Sequence, residues 1–418
     1  MEINIKRMMN DFENIIRYTR TPENGCTRFS YSYEDKQARD YLLSQMEQLG
    51  LSIKVDAIGN IRAKYGKEWE RPSIMIGSHI DTVENGGKYD GLTGVLAGLE
   101  IIRVLKEEEV ELSRPIELII FAEEEGSNFG ITMLGSKVLT GKYSLEELQS
   151  IVNPEGISVC EKVKIFGLDI DQMEKSRLGN DEVDAMIELH IEQGAVLETR
   201  NQSIGIVQSI AGMKTYKVIL EGDSNHAGTT PMDLRSDPMV GATRIISHIR
   251  KAAKELALPT TVATVGKIAC QPNMPNVIPK LVEFYVDIRD VEEKGIEIVS
   301  KELKEIVDTV SLEESLKSTM ELIGASNTVK LSSRIIENIE EMAKKRNVDY
   351  IKMHSGAVHD AAMLHRLTDV GMIFIPSAGG KSHCPEEFTS ESDIQTGCNL
   401  LLDVVITLAA KKNETQKI

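Results

Sequence analysis

The chain lacks the features that would place it in an oxidising compartment, in a membrane or on nucleic acid. It has five cysteines in 418 residues: Cys26, Cys160, Cys270, Cys384 and Cys398. Their number is odd and none forms a CxxC pair, which argues against a disulfide framework. No run approaches the roughly 18 consecutive apolar residues of a membrane span. The opening stretch MEINIKRMMNDFENIIRYTR is polar and has no apolar centre of the signal-peptide kind. These absences lead us to expect a reduced, cytoplasmic chain with no membrane partner. Positive charge is also scarce. Lys and Arg total 48 against 65 Asp and Glu, a formal charge of −17. Phosphate backbones would repel such a chain, so no nucleic-acid partner is expected. An anionic substrate would need a local cation to override that field.

What remains is ordinary globular composition, 41% hydrophobic, over a length that calls for two domains. Residues 3–19 read as an amphipathic helix, and Tyr33–Leu49 as a second helix capped by Gly50. Two short strands follow, with Gly59-Asn60 as the turn between them. Then strand Ser73–Ile76, helix Leu92–Lys106 and strand Ile116–Phe121 alternate. That alternation predicts an α/β layer with a mainly parallel sheet. After about residue 208 the order becomes β-α-β-β-α-β: Lys214–Glu221, Asp237–Leu256, Thr261–Ile268, Val282–Arg289, Val291–Val307 and a strand near Leu316–Leu322. This is the split ferredoxin-like unit. The expected architecture is therefore a discontinuous catalytic domain, 1–208 and 327–418, with an α+β domain inserted at 209–326. Helices Ser333–Lys345 and Glu391–Ala410 complete the first domain.

Chemistry gathers where strands of the first domain end. Gly77-Ser78-His79-Ile80-Asp81, Phe121-Ala122-Glu123-Glu124-Glu125 and Glu188-Leu189-His190-Ile191-Glu192 are three such stretches, and Lys88-Tyr89-Asp90-Gly91 opens a helix. Ligands of open α/β sheets collect at the carboxyl ends of strands. Mixed imidazole and carboxylate donors suit zinc, manganese or cobalt better than magnesium or calcium. Three carboxylates at a strand end repel one another and call for cations. Each piece also has a plain structural reading. A lone His-x-Asp is mostly polar packing, and a Glu triplet is mostly a solvated face. Their joint occurrence is what favours a site. His248 and His365 lie in helices and read as structural, and His354 is left undecided.

Eight motifs in this order resemble one family. They are GSHIDTVENGGKYDGLTGV, FAEEEGSNFG, ELHIEQG, SNHAGTTPMDLRSDP, PNVIP, DIRD, SGAVHDAAML and PSAGGKSHCPEEFT. The chain resembles the amidase (hydantoinase/carbamoylase) branch of the M20 metallohydrolases over nearly its whole length. That branch holds allantoate amidohydrolases, N-carbamoyl-L-amino-acid hydrolases and β-ureidopropionases. The resemblance implies two divalent ions per subunit, zinc or manganese with cobalt as a further choice. His79 and His190 would hold one ion, Glu125 and His383 the other, and Asp90 would bridge them. Glu124 would be the general base, Asp81 would orient His79, and Glu123 would lie behind the site or in solvent. The inserted domain would serve as lid and homodimer surface. His226 would reach a partner subunit's site to stabilise an oxyanion. Gln193, Asn276, Arg289 and His359 would contact a small ureido substrate bearing a carboxylate. A guanidinium fork suits that carboxylate.

Taken singly, these residues have other readings: His226 as a turn cap, Asn276 as turn chemistry and Arg289 as a surface ion pair. Departures from the branch pattern are Asn128, where Arg is frequent, and Val358, where Gly is frequent; Cys384 directly follows His383. EEEGS and SNHAGTTPM are more similar to allantoate amidohydrolases than to carbamoylases. Allantoate is therefore the expected substrate, in ureide breakdown, and an N-carbamoyl-L-amino acid is the alternative. A dipeptidase or aminoacylase is disfavoured by HIEQG, because peptidase relatives resemble a carboxylate ligand where His190 stands. A non-catalytic binding protein is disfavoured by the intact Glu124, and a purely structural metal site by the absence of cysteine among the five ligands.

Overall fold

Ser73–His79 and Ile116–Phe121 are buried at every position, as strands covered on both faces must be. They form the middle of a sheet in the computed structural model, which describes residues 1–66 and 71–410. Along the chain the strands are β1 (Ser52–Val55), β2 (Ile61–Tyr65), β3 (Ser73–His79), β4 (Ile116–Phe121), β5 (Val183–Ile191), β6 (Ile204–Ile210), β7 (Gly212–Glu221), β8 (Val262–Gln271), β9 (Leu281–Asp290), β10 (Lys317–Ser326), β11 (Val329–Lys330), β12 (Tyr350–Ser355) and β13 (Asp369–Ile375).

The residues divide into two units. One comprises 1–208, 331–353 and 359 onward; the other comprises 209–330 and 354–358. In the first unit the strand order is β1-β2-β4-β3-β5-β13-β6. The four central strands β4, β3, β5 and β13 are parallel. The flanking pairs β1/β2, β2/β4 and β13/β6 are antiparallel. A parallel core with antiparallel margins is the mainly parallel sheet that the alternating pattern predicts. Its apolar residues pack with helices Ile5–Ile16, Tyr33–Gln48, Leu92–Glu107, Ser333–Arg346 and Glu391–Ala409 in one core cluster.

The second unit reads β7, helix Pro238–Glu255, β8, β9, helix Glu293–Glu313, β10. Its sheet is wholly antiparallel in the order β10-β7-β9-β8. Val218, Leu220, Ile245, Phe284, Ile288 and Leu303 form its core. This is the split ferredoxin-like arrangement expected from the element order. The helix Glu293–Glu313 and strand Lys317–Ser326 both run further than the apolar pattern predicts. Three short helices of the first unit, Leu134–Leu139, Leu145–Ser150 and Val159–Phe166, escape the periodicity reading altogether. The last two did carry a legible signal. Ser144 with Glu147, and Ser158 with Glu161, form reciprocal capping boxes. No helix among the described residues is long and apolar enough to cross a membrane.

Parallel pairing aligns strand ends. His79 is level with Phe121, and His190 with Phe374. Gly77 makes the β3/β4 approach possible: its φ is +145°, and a Cβ there would lie 1.9 Å from the Ile119 carbonyl oxygen. Gly77→Ala should therefore cost about 3 kcal/mol or more of stability. A thermal unfolding series checks this. A variant melting with the parent would contradict the register next to His79.

Candidate functional site

The aligned strand ends deliver side chains to the carboxyl edge of the sheet. His79 is the last residue of β3, the Glu123–Glu125 run leaves β4 just beyond Phe121, and His190 is the penultimate residue of β5. Asp90 comes from the turn before helix Leu92–Glu107, and His383 from the loop before helix Glu391–Ala409. Gly91 is needed beside Asp90, since its φ is +63° and a Cβ would fall 2.5 Å from the His79 ring.

Asp90 is the hub. Its Oδ1 lies 3.1 Å from His190 Nε2 and 3.5 Å from His79 Nε2. Its Oδ2 lies 3.2 Å from His383 Nε2, which is 3.5 Å from Glu125 Oε1. Two groups able to hold a cation thus share one carboxylate: His79, Asp90 and His190, and Asp90, Glu125 and His383. The five residues expected to be ligands are brought together. Asp90 and the two strand imidazoles are buried, whereas the His383 side chain is 48% exposed.

The donor set fits divalent cations on independent grounds. His79 Nδ1 sits 3.0 Å from the Asp81 carbonyl, and His190 Nδ1 2.9 Å from the Ile191 carbonyl. A carbonyl only accepts, so in these contacts each Nδ1 carries the proton, and each Nε2 faces Asp90 as a potential ligand atom. The contact of Asp81 with His79 runs through its backbone. The backbone oxygen of Asp81, rather than its carboxylate, orients His79; Oδ1 is 3.8 Å away and Oδ2 accepts the Glu125 N–H at 3.1 Å. Glu124 is buried, with Oε2 3.9 Å from His79 Nε2. Glu123 is fully buried rather than solvated. Its carboxylate accepts the Asn128 backbone N–H (2.8 Å) and side-chain amide (2.6 Å), which accounts for the short amide at position 128.

The other expected contacts fall differently. The Gln193 amide donates to Asp90 Oδ2 at 2.7 Å and is 3.3 Å from His383 Nε2, so it sits within the donor cluster. His359 is buried edge-on against His190, ring centroids 4.7 Å apart, and against Phe374 at 5.7 Å. Burial pulls its imidazole well below the usual range. It packs beside His190 and, with Glu188 and His190, forms a further group of side chains able to hold a cation. In the second unit, His226 and Asn276 are adjacent. His226 bridges Val277, and the Asn276 carbonyl accepts the Ala227 N–H at 3.0 Å. Both are exposed. Arg289 is half-buried, paired with Asp287 at 2.7 Å, and donates to the Gly356 carbonyl at 3.2 Å. His354 lies 2.7 Å from the Ser209 hydroxyl, and His248 pairs with Glu302, which leaves both with structural partners. Sequence reasoning missed Ser382, Glu387 and Asp360, which surround the hub or lie behind it.

Electrostatics follow from this crowding. Burial lowers the His79 and His190 imidazoles, but the hydrogen-bonding Asp90 carboxylate, together with the charges of Glu124 and Asp81 at His79 and of Glu188 at His190, outweighs it and holds both above the ordinary range. His383, bonded to Asp90, is pushed up to about 9. Burial and the Asp90 charge push Glu125 up to about 8. Burial would raise Asp90 also, yet its three imidazole partners bring it well below the usual carboxylate range.

An open α/β sheet with imidazole and carboxylate donors around one shared aspartate defines the class of α/β metallohydrolases. The chain belongs to Peptidase family M20/M25/M40, whose model matches residues 75–407. It is similar to the N-carbamoyl-L-amino-acid amidohydrolase of Pseudomonas sp. (strain NS671), 38% identical over 97% of this chain and 98% of that one. It is 34% identical to the allantoate amidohydrolase of Bacillus subtilis (strain 168), over 98% of this chain and 99% of that one. The solved amidase of the hydantoinase/carbamoylase family from Burkholderia multivorans matches with a TM-score of 0.90 and 31% identity, covering 98% of this chain and 99% of the other. The family and branch are those that the eight ordered motifs resemble.

The raised groups make cation binding a proton-releasing event. Glu125 near 8 and His383 near 9 are mostly protonated at pH 7 and must lose their protons to become ligands. Adding manganese to chelator-stripped protein in weak buffer should acidify the solution. The release should shrink as the pH rises through about 8 to 9. A pH-stat titration checks this; release that does not vary with pH would contradict the assignment.

Proposed function

We propose that this chain is an amidohydrolase that hydrolyses the C–N bond of a ureido (carbamoyl) group on a small carboxylate, using two divalent cations. The observation that carries the reading is Asp90, whose two oxygens face two separate donor groups. His79 and His190 would hold one cation, Glu125 and His383 the other, and Asp90 both. When bound, such a pair lowers the pKa of a water and stabilises negative charge on a carbonyl oxygen.

The chain's own groups do the rest. Glu124 is buried close to His79 and, in this proposal, binds no cation. It takes the proton of the attacking water as the new C–O bond forms at the ureido carbon. It then delivers that proton to the departing nitrogen as the C–N bond breaks, giving ammonia and a carbamate that can lose carbon dioxide. Asp81 holds this loop by accepting the Glu125 N–H. The inserted unit is proposed as lid and homodimer surface. It would carry Arg289 for the substrate carboxylate, Asn276 as a substrate contact, and His226 to stabilise the developing oxyanion in a partner subunit's site. Gln193 would turn from Asp90 toward substrate.

Allantoate is the first reading of the substrate, supported by the EEEGS and SNHAGTTPM motifs and by the Bacillus subtilis relative. The second is an N-carbamoyl-L-amino acid, favoured by the higher identity of the Pseudomonas relative. Both carry a ureido group and a carboxylate. The deciding experiment measures ammonia released from allantoate, N-carbamoyl-L-amino acids, β-ureidopropionate and dipeptides, before and after chelation. Turnover of a ureido acid that chelation removes and manganese, zinc or cobalt restores is the expected result. Full activity after chelation, or cleavage of dipeptides alone, would sink the proposal. Glu124→Gln should keep its cation content and lose about 10²- to 10⁴-fold in kcat. Loss of bound cations in that variant would make Glu124 a ligand instead.

A further inference from the structure

Glu387 lies in the same loop as His383, four residues further on, and is 4% exposed. A buried carboxylate is costly unless its oxygens are hydrogen-bonded. Here they are, and the partners share a location. Oε1 accepts the backbone N–H of Tyr89 at 2.8 Å and of Asp90 at 3.1 Å. Oε2 accepts the Ser382 hydroxyl at 2.7 Å, and that hydroxyl is also 3.2 Å from Asp90 Oδ2. A Cβ on Gly87 would fall 1.9 Å from the Glu387 carboxyl carbon, so the carboxylate fills the space that this glycine leaves open. The Glu387 N–H turns back to the Cys384 carbonyl at 3.1 Å and closes its own loop.

We infer that Glu387 is a positioning residue, clamping the loop that carries His383 to the turn that carries Asp90 so that His383 stays opposite Asp90 Oδ2. The inference rests on the two-cation reading above. The two halves of the site need this clamp unequally. His79 and His190 stand on adjoining parts of a buried sheet, with each ring held by a backbone carbonyl. His383 stands in a loop at φ +56°, with its ring half exposed. Its distance from Asp90 Oδ2 depends on how the loop from Ser382 to Glu387 is tied to Tyr89 and Asp90. Glu387 therefore acts on the Glu125/His383 side and leaves the His79/His190 side in place.

The test is titration of manganese into chelator-stripped full-length protein, comparing the parent with Glu387→Ala, Glu387→Gln and Ser382→Ala. Circular dichroism confirms folding of each. The parent should take up two ions. Glu387→Ala should weaken one of them about 10- to 100-fold and leave the other nearly unchanged. Glu387→Gln keeps an oxygen for the two N–H groups and should lose less than about tenfold. Ser382→Ala should weaken the same ion as Glu387→Ala. Equal weakening of both ions, no weakening of either, or a Gln variant as impaired as the Ala variant would overturn the inference. If Glu387→Ala does not fold, unchanged affinities in Ser382→Ala would do so. A parent that binds a single ion would instead overturn the two-cation reading itself.

Discussion

Asp90 sets the conditions that the rest of the site has to meet. A carboxylate buried beside other carboxylates carries a large desolvation cost, and it stays ionised only if cations or hydrogen-bond donors surround it. Three imidazoles, the Gln193 amide and the Ser382 hydroxyl converge on its two oxygens. Nearby Glu124 and Glu125 are pushed upward mainly by burial and also by neighbouring acids. So dense a set of buried acids around so few donors makes sense if added positive charge resides among them. That is the physical basis for proposing divalent cations there.

The fold supplies the geometry. Parallel strands end at one edge, so residues far apart in sequence arrive together without long loops. His79 and His190 inherit their precision from two paired strands that are almost wholly buried. Glycine supplies the clearances: Gly77 lets β3 approach β4, and Gly91 lets the His79 ring lie against the Asp90 turn. His383 has no such scaffold: it stands in a loop, and its ring is half exposed.

Much of this was legible in the chain itself. Mainly apolar runs before His79 and the Glu123–Glu125 triplet, and the Glu188–Glu192 stretch around His190, marked strand ends, and the change of period after residue 208 marked a second kind of sheet. Motif order then supplied the donor set. What was not legible depends on the path of the backbone or on contacts between distant segments. No spacing rule says that the Asp81 carbonyl rather than its carboxylate meets His79, because the two lie on one residue. Nor does HCPEE alone reveal that Glu387 reaches the N–H groups of Tyr89 and Asp90, almost three hundred residues away. The motif around His359 likewise gives no sign that its ring is buried against Phe374 and His190.

The central claim is that Asp90 joins two cations, and anomalous diffraction from crystals grown with manganese tests it most directly. Two peaks about 3.5–4 Å apart are expected, one shared by Asp90 Oδ1 with His79 and His190, the other by Oδ2 with Glu125 and His383. A single peak, or peaks that leave Asp90 uncoordinated, would contradict the account.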